Sequence, residues 1–303
     1  MAPDRVGLTP STPPADRPRV TAPYLGQMKQ RGERIVMVTA YDATSARLAD
    51  ASGVDCILVG DSLGMTVLGH GSTIPVTLDD MVSATAAVTR AASRPLIVAD
   101  LPFMTYHASY EQGIESAARL AREGGAHAVK LEGATELTRE IISGLVEAGV
   151  PVIGHLGLTP QSVNGLGGYR VQGREASGAA LLIAQAHALA EAGVSAIVLE
   201  CIPDALATHV TATCGVPTIG IGAGVGCDGE VQVLHDILGL STFTPKHAKR
   251  YLDGDSLIVD ALARYASDVR EGAFPTALES TPAADALVAD ALALIEEQDD
   301  AAW

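Results

Sequence analysis

Five apolar runs in this chain each finish on a side chain that can hold a metal or move a proton. Cys56–Val59 leads through Gly60 to Asp61 and Ser62, Pro95–Ala99 leads to Asp100, and Ala126–Leu131, which carries Lys130, leads to Glu132. Pro151–Gly154 ends on His155, and Ser195–Leu199 ends on Glu200. A buried strand that stops abruptly at polar groups delivers them to its open end, so chemistry is expected there. The acids are hard oxygen donors without cysteine, a set that suits Mg²⁺, which takes one or two protein carboxylates and leaves its other positions to water and substrate.

The elements that must position these groups alternate between strand-like and helix-like segments from Arg34 onward. Strands are expected over 35–40, 56–60, 95–100, 126–132, 151–155, 195–200, 217–222 and 230–235, each followed by a helical or loop segment. Asp42 or Thr44, Thr77 and Ser109 read as helix N-caps. Glycines 53, 125, 149, 193 and 215 precede strands as helix ends. Eight β/α units predict a closed (β/α)₈ barrel, in which every strand C-terminus meets at one mouth. Asp61, Asp100, Glu132, His155 and Glu200 therefore converge although far apart in sequence.

Within that mouth, Asp61 and Asp100 are expected as direct metal ligands, and Glu132 either as a third ligand or as the holder of a bound water. Lys130 lies on the same side of its strand as Glu132, which places an ammonium near the metal or in a buried ion pair with Glu132 or Asp100. His155 is either a satisfied core histidine or a contact to a substrate oxygen. Glu200 follows an apolar run with no cationic neighbour in sequence, so it suits a general base, the alternative being an orienting carboxylate. Gly220–Gly224 runs on into a further loop rather than a helix, so it reads as tight turning more than as a dinucleotide fingerprint. Asp79 and Asp80 read as first-turn charge of a helix.

Composition narrows the classes. The chain has 303 residues, 48% apolar and only 4% aromatic, which suits an aliphatic parallel sheet covered by helices. A net charge of -16 argues against nucleic acid or an anionic membrane as partner. No run approaches the roughly 18 apolar residues of a membrane span. The four cysteines lack zinc-site spacing and are too few for a disulfide scaffold, which fits the cytoplasm. Residues 1–23, rich in proline, are expected as a mobile N-terminal arm, 24–280 as the catalytic barrel, and 281–303 as an acidic amphipathic helical extension.

The segments Thr39–Asp42, Val59–Met65, Pro75–Thr77, Ala99–Met104, Val129–Gly133, Gly154–Gln161 and Ile219–Gly224 run in an order that resembles the ketopantoate hydroxymethyltransferase (3-methyl-2-oxobutanoate hydroxymethyltransferase) family over about Thr21 to Ser280. The resemblance implies a (β/α)₈ TIM barrel of the phosphoenolpyruvate/pyruvate type, a homodecamer of pantothenate biosynthesis that uses 5,10-methylenetetrahydrofolate. It implies Mg²⁺ on Asp61, Asp100 and Glu132, keto-acid contacts from Asp61, Ser62, Asp100 and Lys130, and Glu200 as proton acceptor. Leu101 stands where the family more often has methionine, and Ala84 where histidine is frequent. A second reading, a Mg²⁺-dependent C–C lyase or mutase acting on a 2-oxo acid, would want a Cys-Gly-His segment after a lysine pair, and the sequence has none. A non-catalytic barrel would show gaps among the strand-end acids.

Overall fold

A computed structural model of the chain describes residues 18–241 and 243–300. Eight strands, all parallel, form a closed barrel in sequence order, and β8 pairs back onto β1. They are β1 Ile35–Thr39, β2 Cys56–Val59, β3 Leu96–Asp100, β4 Ala128–Glu132, β5 Val152–Gly157, β6 Ala196–Glu200, β7 Thr218–Ile221 and β8 Gly229–Gln232. The expected strand order holds, with ends shifted by a few residues.

Side-chain alternation divides each strand between two apolar layers. Met37, Cys56, Leu58, Leu96, Val98, Ala128, Ile153, Ala196, Val198 and Ile219 fill the barrel interior. Their neighbours Val38, Ile57, Val59, Ile97, Ala99, Val129, Leu131, Leu156, Ile197 and Leu199 pack outward against the helices. The interior side is what matters for function. Two residues past Val98 is Asp100, two past Ala128 is Lys130 and four past it Glu132, two past Ile153 is His155, and two past Val198 is Glu200. Each of these four strands therefore carries an aliphatic plug on its inward face and ends it with a polar group.

The helices between the strands start where short polar side chains can take their free N–H groups. Asp42 accepts from the Ser45 amide, Thr77 from Asp80, and Ser109 from Gln112. Glycines 53, 125, 149 and 193 take left-handed conformations, but Gly215 does not, because helix Asp204–Thr213 ends at Cys214 in extended backbone.

The expected mobile arm is corrected in part. Residues 1–17 lie outside the described residues, but within 18–23 Val20 and Ala22 are buried. The Val20 amide donates to the Arg94 carbonyl at 2.9 Å, and Pro23 sits in the first turn of helix Ala22–Arg31, where a missing N–H costs nothing. Ala22, Leu25 and Met28 join the interior cluster beside Ile35, so this helix closes the end of the barrel opposite the mouth.

The chain divides into two compact units, Met1–Leu252 and Asp253–Trp303, so the barrel unit ends earlier than the expected residue 280. The second unit contains helices Gly254–Glu271 and Leu287–Asp300. Among the described residues no helix is long and apolar enough to cross a membrane.

Candidate active site

Polar groups crowd the barrel mouth in a chain of direct contacts. Asp61 follows β2 at the turn into helix Leu63–Thr66, and its amide donates to Asp100 Oδ2 at 3.1 Å. The other Asp100 oxygen, Oδ1, lies 3.2 Å from Lys130 Nζ. Lys130 Nζ also reaches His155 Nδ1 at 3.1 Å, and His155 Nε2 lies 3.2 Å from Glu200 Oε2. Glu132 approaches His155 Nδ1 at 3.4 Å. An ammonium only donates, so the Lys130 contact wants Nδ1 bare and puts the ring proton on Nε2, facing Glu200. The inward register of β3 to β6, with the turn after β2, thus joins Asp61, Asp100, Lys130, Glu132, His155 and Glu200 in one cluster.

Ser62 stands at its edge. Its Oγ is 2.8 Å from the Tyr41 hydroxyl. Gly60 leaves the space between Ser62 and Asp100 open, because a Cβ there would meet Ser62 Oγ at 2.9 Å and Asp100 Oδ2 at 3.4 Å.

Burial sets the electrostatics. The Asp61 carboxyl is held well above the ordinary aspartate range by desolvation, and further by Asp100 and Glu132. Asp100 is raised by burial, while Lys130 and the Asp61 amide pull it back. Burial pulls Lys130 down, but Asp100, Glu132 and Asp61 outweigh it and keep the ammonium charged. For His155, burial and Lys130 act downward, yet Glu132 and Glu200 leave the ring more basic than free imidazole. Glu200 does have a polar partner, then, the His155 ring at 3.2 Å, which its own sequence neighbourhood hid.

The cluster fits a divalent cation on chemical grounds. With Asp61, Asp100 and Glu132 ionised and Lys130 protonated, two net negative charges stay buried, and a single 2+ ion would neutralise them. Asp100 Oδ1 is a buried acceptor without a hydrogen bond, since its approach to Lys130 is out of line. Among the described residues no three His, Cys or carboxylate side chains already form a finished cage. Mg²⁺ does not require one, because it keeps water and substrate oxygens in its shell.

Sequence reasoning missed two residues here. Gln161, just past β5, donates through Nε2 to Asp61 Oδ2 at 2.8 Å and to the Leu101 carbonyl at 2.9 Å, and through its backbone amide to Glu132 Oε2 at 3.1 Å. Tyr106 donates to Gln161 Oε1 at 2.8 Å and accepts from the Glu132 amide at 3.1 Å. The only signal was that Gln161 closes the segment Gly154–Gln161 that carried the family resemblance. Gly222 and Gly224 turn the chain after β7 with positive φ and no helix follows, as expected for a tight turn.

A sequence profile described as ketopantoate hydroxymethyltransferase matches residues 19–277. The chain belongs to this family. A 3-methyl-2-oxobutanoate hydroxymethyltransferase of Chloroflexus aurantiacus is 57% identical over 258 residues, 85% of this chain and 91% of its own. The enzyme of that name from Chloroflexus aggregans is 54% identical over 280 residues, 92% of this chain and 99% of its own. Among solved structures, phosphonopyruvate hydrolase superposes with a TM-score of 0.56 at 13% identity, covering 93% of this chain and 97% of its own. A 2,3-dimethylmalate lyase of the PEP mutase/isocitrate lyase superfamily gives 0.55 at 20% identity, covering 87% of this chain and 92% of its own. At those identities the likeness is one of fold, and it agrees with the expected (β/α)₈ class. The family's own barrel, rather than the lyase or mutase alternative, is the one this sequence encodes.

Proposed function

We propose that this hydroxymethyltransferase adds a one-carbon unit from 5,10-methylenetetrahydrofolate to C3 of 3-methyl-2-oxobutanoate, giving 2-dehydropantoate for pantothenate synthesis. The single observation that carries the reading is the buried cluster of acids, lysine and histidine at the mouth of a barrel whose sequence is 57% identical to an enzyme of that name. Mg²⁺ would be held by Asp61 and Asp100, with Glu132 as third ligand or through water, and as a Lewis acid it would polarise the 2-oxo group.

The chain's own residues supply the rest. Lys130 and Ser62 bind the substrate carboxylate and orient C3, while Asp61 and Asp100 contact the keto acid beside them. Glu200 takes the C3 proton, and His155, with its Nε2 beside Glu200 and without a hydrogen bond in good geometry, is free to donate to a substrate oxygen. Charge moving toward the 2-oxo oxygen meets Lys130 in a site shut off from water, where a fixed ammonium acts most strongly. The C3 nucleophile then attacks the folate's methylene carbon as one of its two C–N bonds breaks, the freed nitrogen taking a proton; water displaces the second nitrogen, so the hydroxyl ends on the transferred carbon and tetrahydrofolate leaves. Exposed apolar side chains on the segments that follow β2, β3 and β5, Met65, Met104 and Tyr169, offer a surface for the flat donor above the site.

A cytoplasmic location fits the described cysteines, all of which are free thiols. A homo-oligomer, a decamer by family resemblance, fits the apolar side chains Leu257, Leu262 and Tyr265 exposed on helix Gly254–Glu271.

The test is solvent deuterium exchange at C3 of the keto acid, with tetrahydrofolate-dependent turnover measured alongside. Glu200→Gln should slow exchange by at least about 100-fold and leave Mg²⁺ affinity nearly intact. Unchanged exchange would move the base elsewhere, and no turnover by the native chain with Mg²⁺ and folate would reject the activity.

A further inference from the structure

Among the described residues Gln161 is the side chain hydrogen-bonded to the Asp61 carboxylate, and its backbone amide bonds Glu132 as well. Its amide can be oriented from chemistry alone. The two groups facing Nε2, the Asp61 carboxylate and the Leu101 carbonyl, are acceptors only, so the NH₂ must point at them. The opposite side, Oε1, then needs a donor, and the Tyr106 hydroxyl is there at 2.8 Å. That hydroxyl can spend its proton on Gln161 because its lone pair is engaged by the Glu132 amide at 3.1 Å. Gln161 is 3% exposed and Tyr106 1%, so water does not compete for any of these bonds.

We infer that Tyr106 and Gln161 form a positioning pair that fixes Asp61 and Glu132 relative to each other for binding of cation and keto acid. The inference deepens the proposed function and rests on it. Four separate pieces of chain are tied by the pair: the end of β2 through Asp61, the turn after β3 through Leu101 and Tyr106, the end of β4 through Glu132, and the turn after β5 through Gln161. One oxygen of each carboxylate, Asp61 Oδ2 and Glu132 Oε2, accepts a Gln161 N–H. The second oxygen of each is left to other partners, and its direction is set by the first. Neither Tyr106 nor Gln161 need touch a reactant. Outer partners of this kind orient the groups that do, and losing one typically lowers metal affinity by about 10–100-fold.

Tyr106 acts on Asp61 only through the Gln161 amide, and this makes the proposal testable as a cycle. The full chain is prepared native and as Gln161→Met, Tyr106→Phe and the double variant. Each is titrated with Mn²⁺ as a paramagnetic probe, and KM and kcat for the keto acid are measured alongside thermal unfolding. Gln161→Met should weaken Mn²⁺ binding by about tenfold or more and raise KM, with a cooperative melt retained. Tyr106→Phe should move both in the same direction by less, and the double variant should match Gln161→Met. Native Mn²⁺ affinity and KM in Gln161→Met, or losses in the double variant that multiply those of the singles, would overturn the inference. Should Gln161→Met lose its cooperative melt, Gln161→Glu carries the cycle, since it keeps the shape and replaces the amide donors by an oxygen. Absence of Mn²⁺ binding by the native chain would reject the metal reading instead, and the cycle is then decided on KM.

Discussion

Replacing Lys130 with methionine should destabilise the metal-free protein, and the size of the loss should depend on pH in a stated direction. Lys130 is 5% exposed and its ammonium lies 3.2 Å from Asp100 and 3.1 Å from His155. Removing one partner of a buried pair costs about 3–5 kcal/mol, because the other charge is stranded. A second route bounds the figure: the stranded carboxyl can escape by taking a proton, and for an ordinary aspartate at pH 7 that costs about 4 kcal/mol. The two routes agree, so the loss at pH 7 should be about 3–4 kcal/mol. Asp100 already sits above its usual range, and Lys130 is the main influence holding it down, so the variant raises it further. A carboxyl raised in the folded state contributes stability that is fully present below its unfolded value of about pH 4 and is lost as pH rises through the folded value. The penalty relative to the native chain should therefore shrink as pH falls from about 7 toward 4. Urea unfolding in EDTA, followed by circular dichroism at matched protein concentration, measures both quantities. A loss below about 1 kcal/mol, or one that grows as pH falls, would refute the placement of Lys130 as the buried counter-charge.

Two further substitutions test the backbone that frames the site. Gly60→Ala puts a methyl 2.9 Å from Ser62 Oγ and 3.4 Å from Asp100 Oδ2, so kcat/KM for the keto acid should fall at least about tenfold, or about 1.4 kcal/mol, while Tm moves by only about 2–4 °C. Gly157→Ala places an L-residue at φ +96 with its Cβ driven into the Glu200 carbonyl and 2.7 Å from Ile202 Cγ2; chemical denaturation should show a loss of more than about 2 kcal/mol, and activity should fall with it.

Most of the site was legible because a strand has period two. In Val98–Asp100, Ala128–Lys130–Glu132, Ile153–His155 and Val198–Glu200, an apolar residue and a polar one share the inward face, and closure of the barrel does the rest. Asp61 breaks that parity, since Leu58 and Gly60 hold the inward positions of β2. It reaches the cluster because the strand stops at Val59 and the chain turns, letting the Asp61 amide bond Asp100. The helix Ala22–Arg31 was hidden by prolines read as uniformly disordering, although Pro23 occupies a helical turn where proline is tolerated and Ala22, Leu25 and Met28 form a single buried stripe.

Gln161 and Tyr106 escaped for a different reason. Neither lies on a strand or a long helix: Gln161 sits in a single 3₁₀ turn after β5 and Tyr106 in the loop after β3, 55 residues apart, and each looks like an ordinary loop residue beside its neighbours. Their meaning exists only after closure, when four loop ends share one small volume and every buried N–H and carboxylate oxygen there must find a partner. Strand periodicity can place the groups that bear charge, because charge sits on regular positions. The neutral groups that decide which way those charges point are fixed by hydrogen-bond valence across the mouth, as the acceptor-only neighbours of the Gln161 amide show.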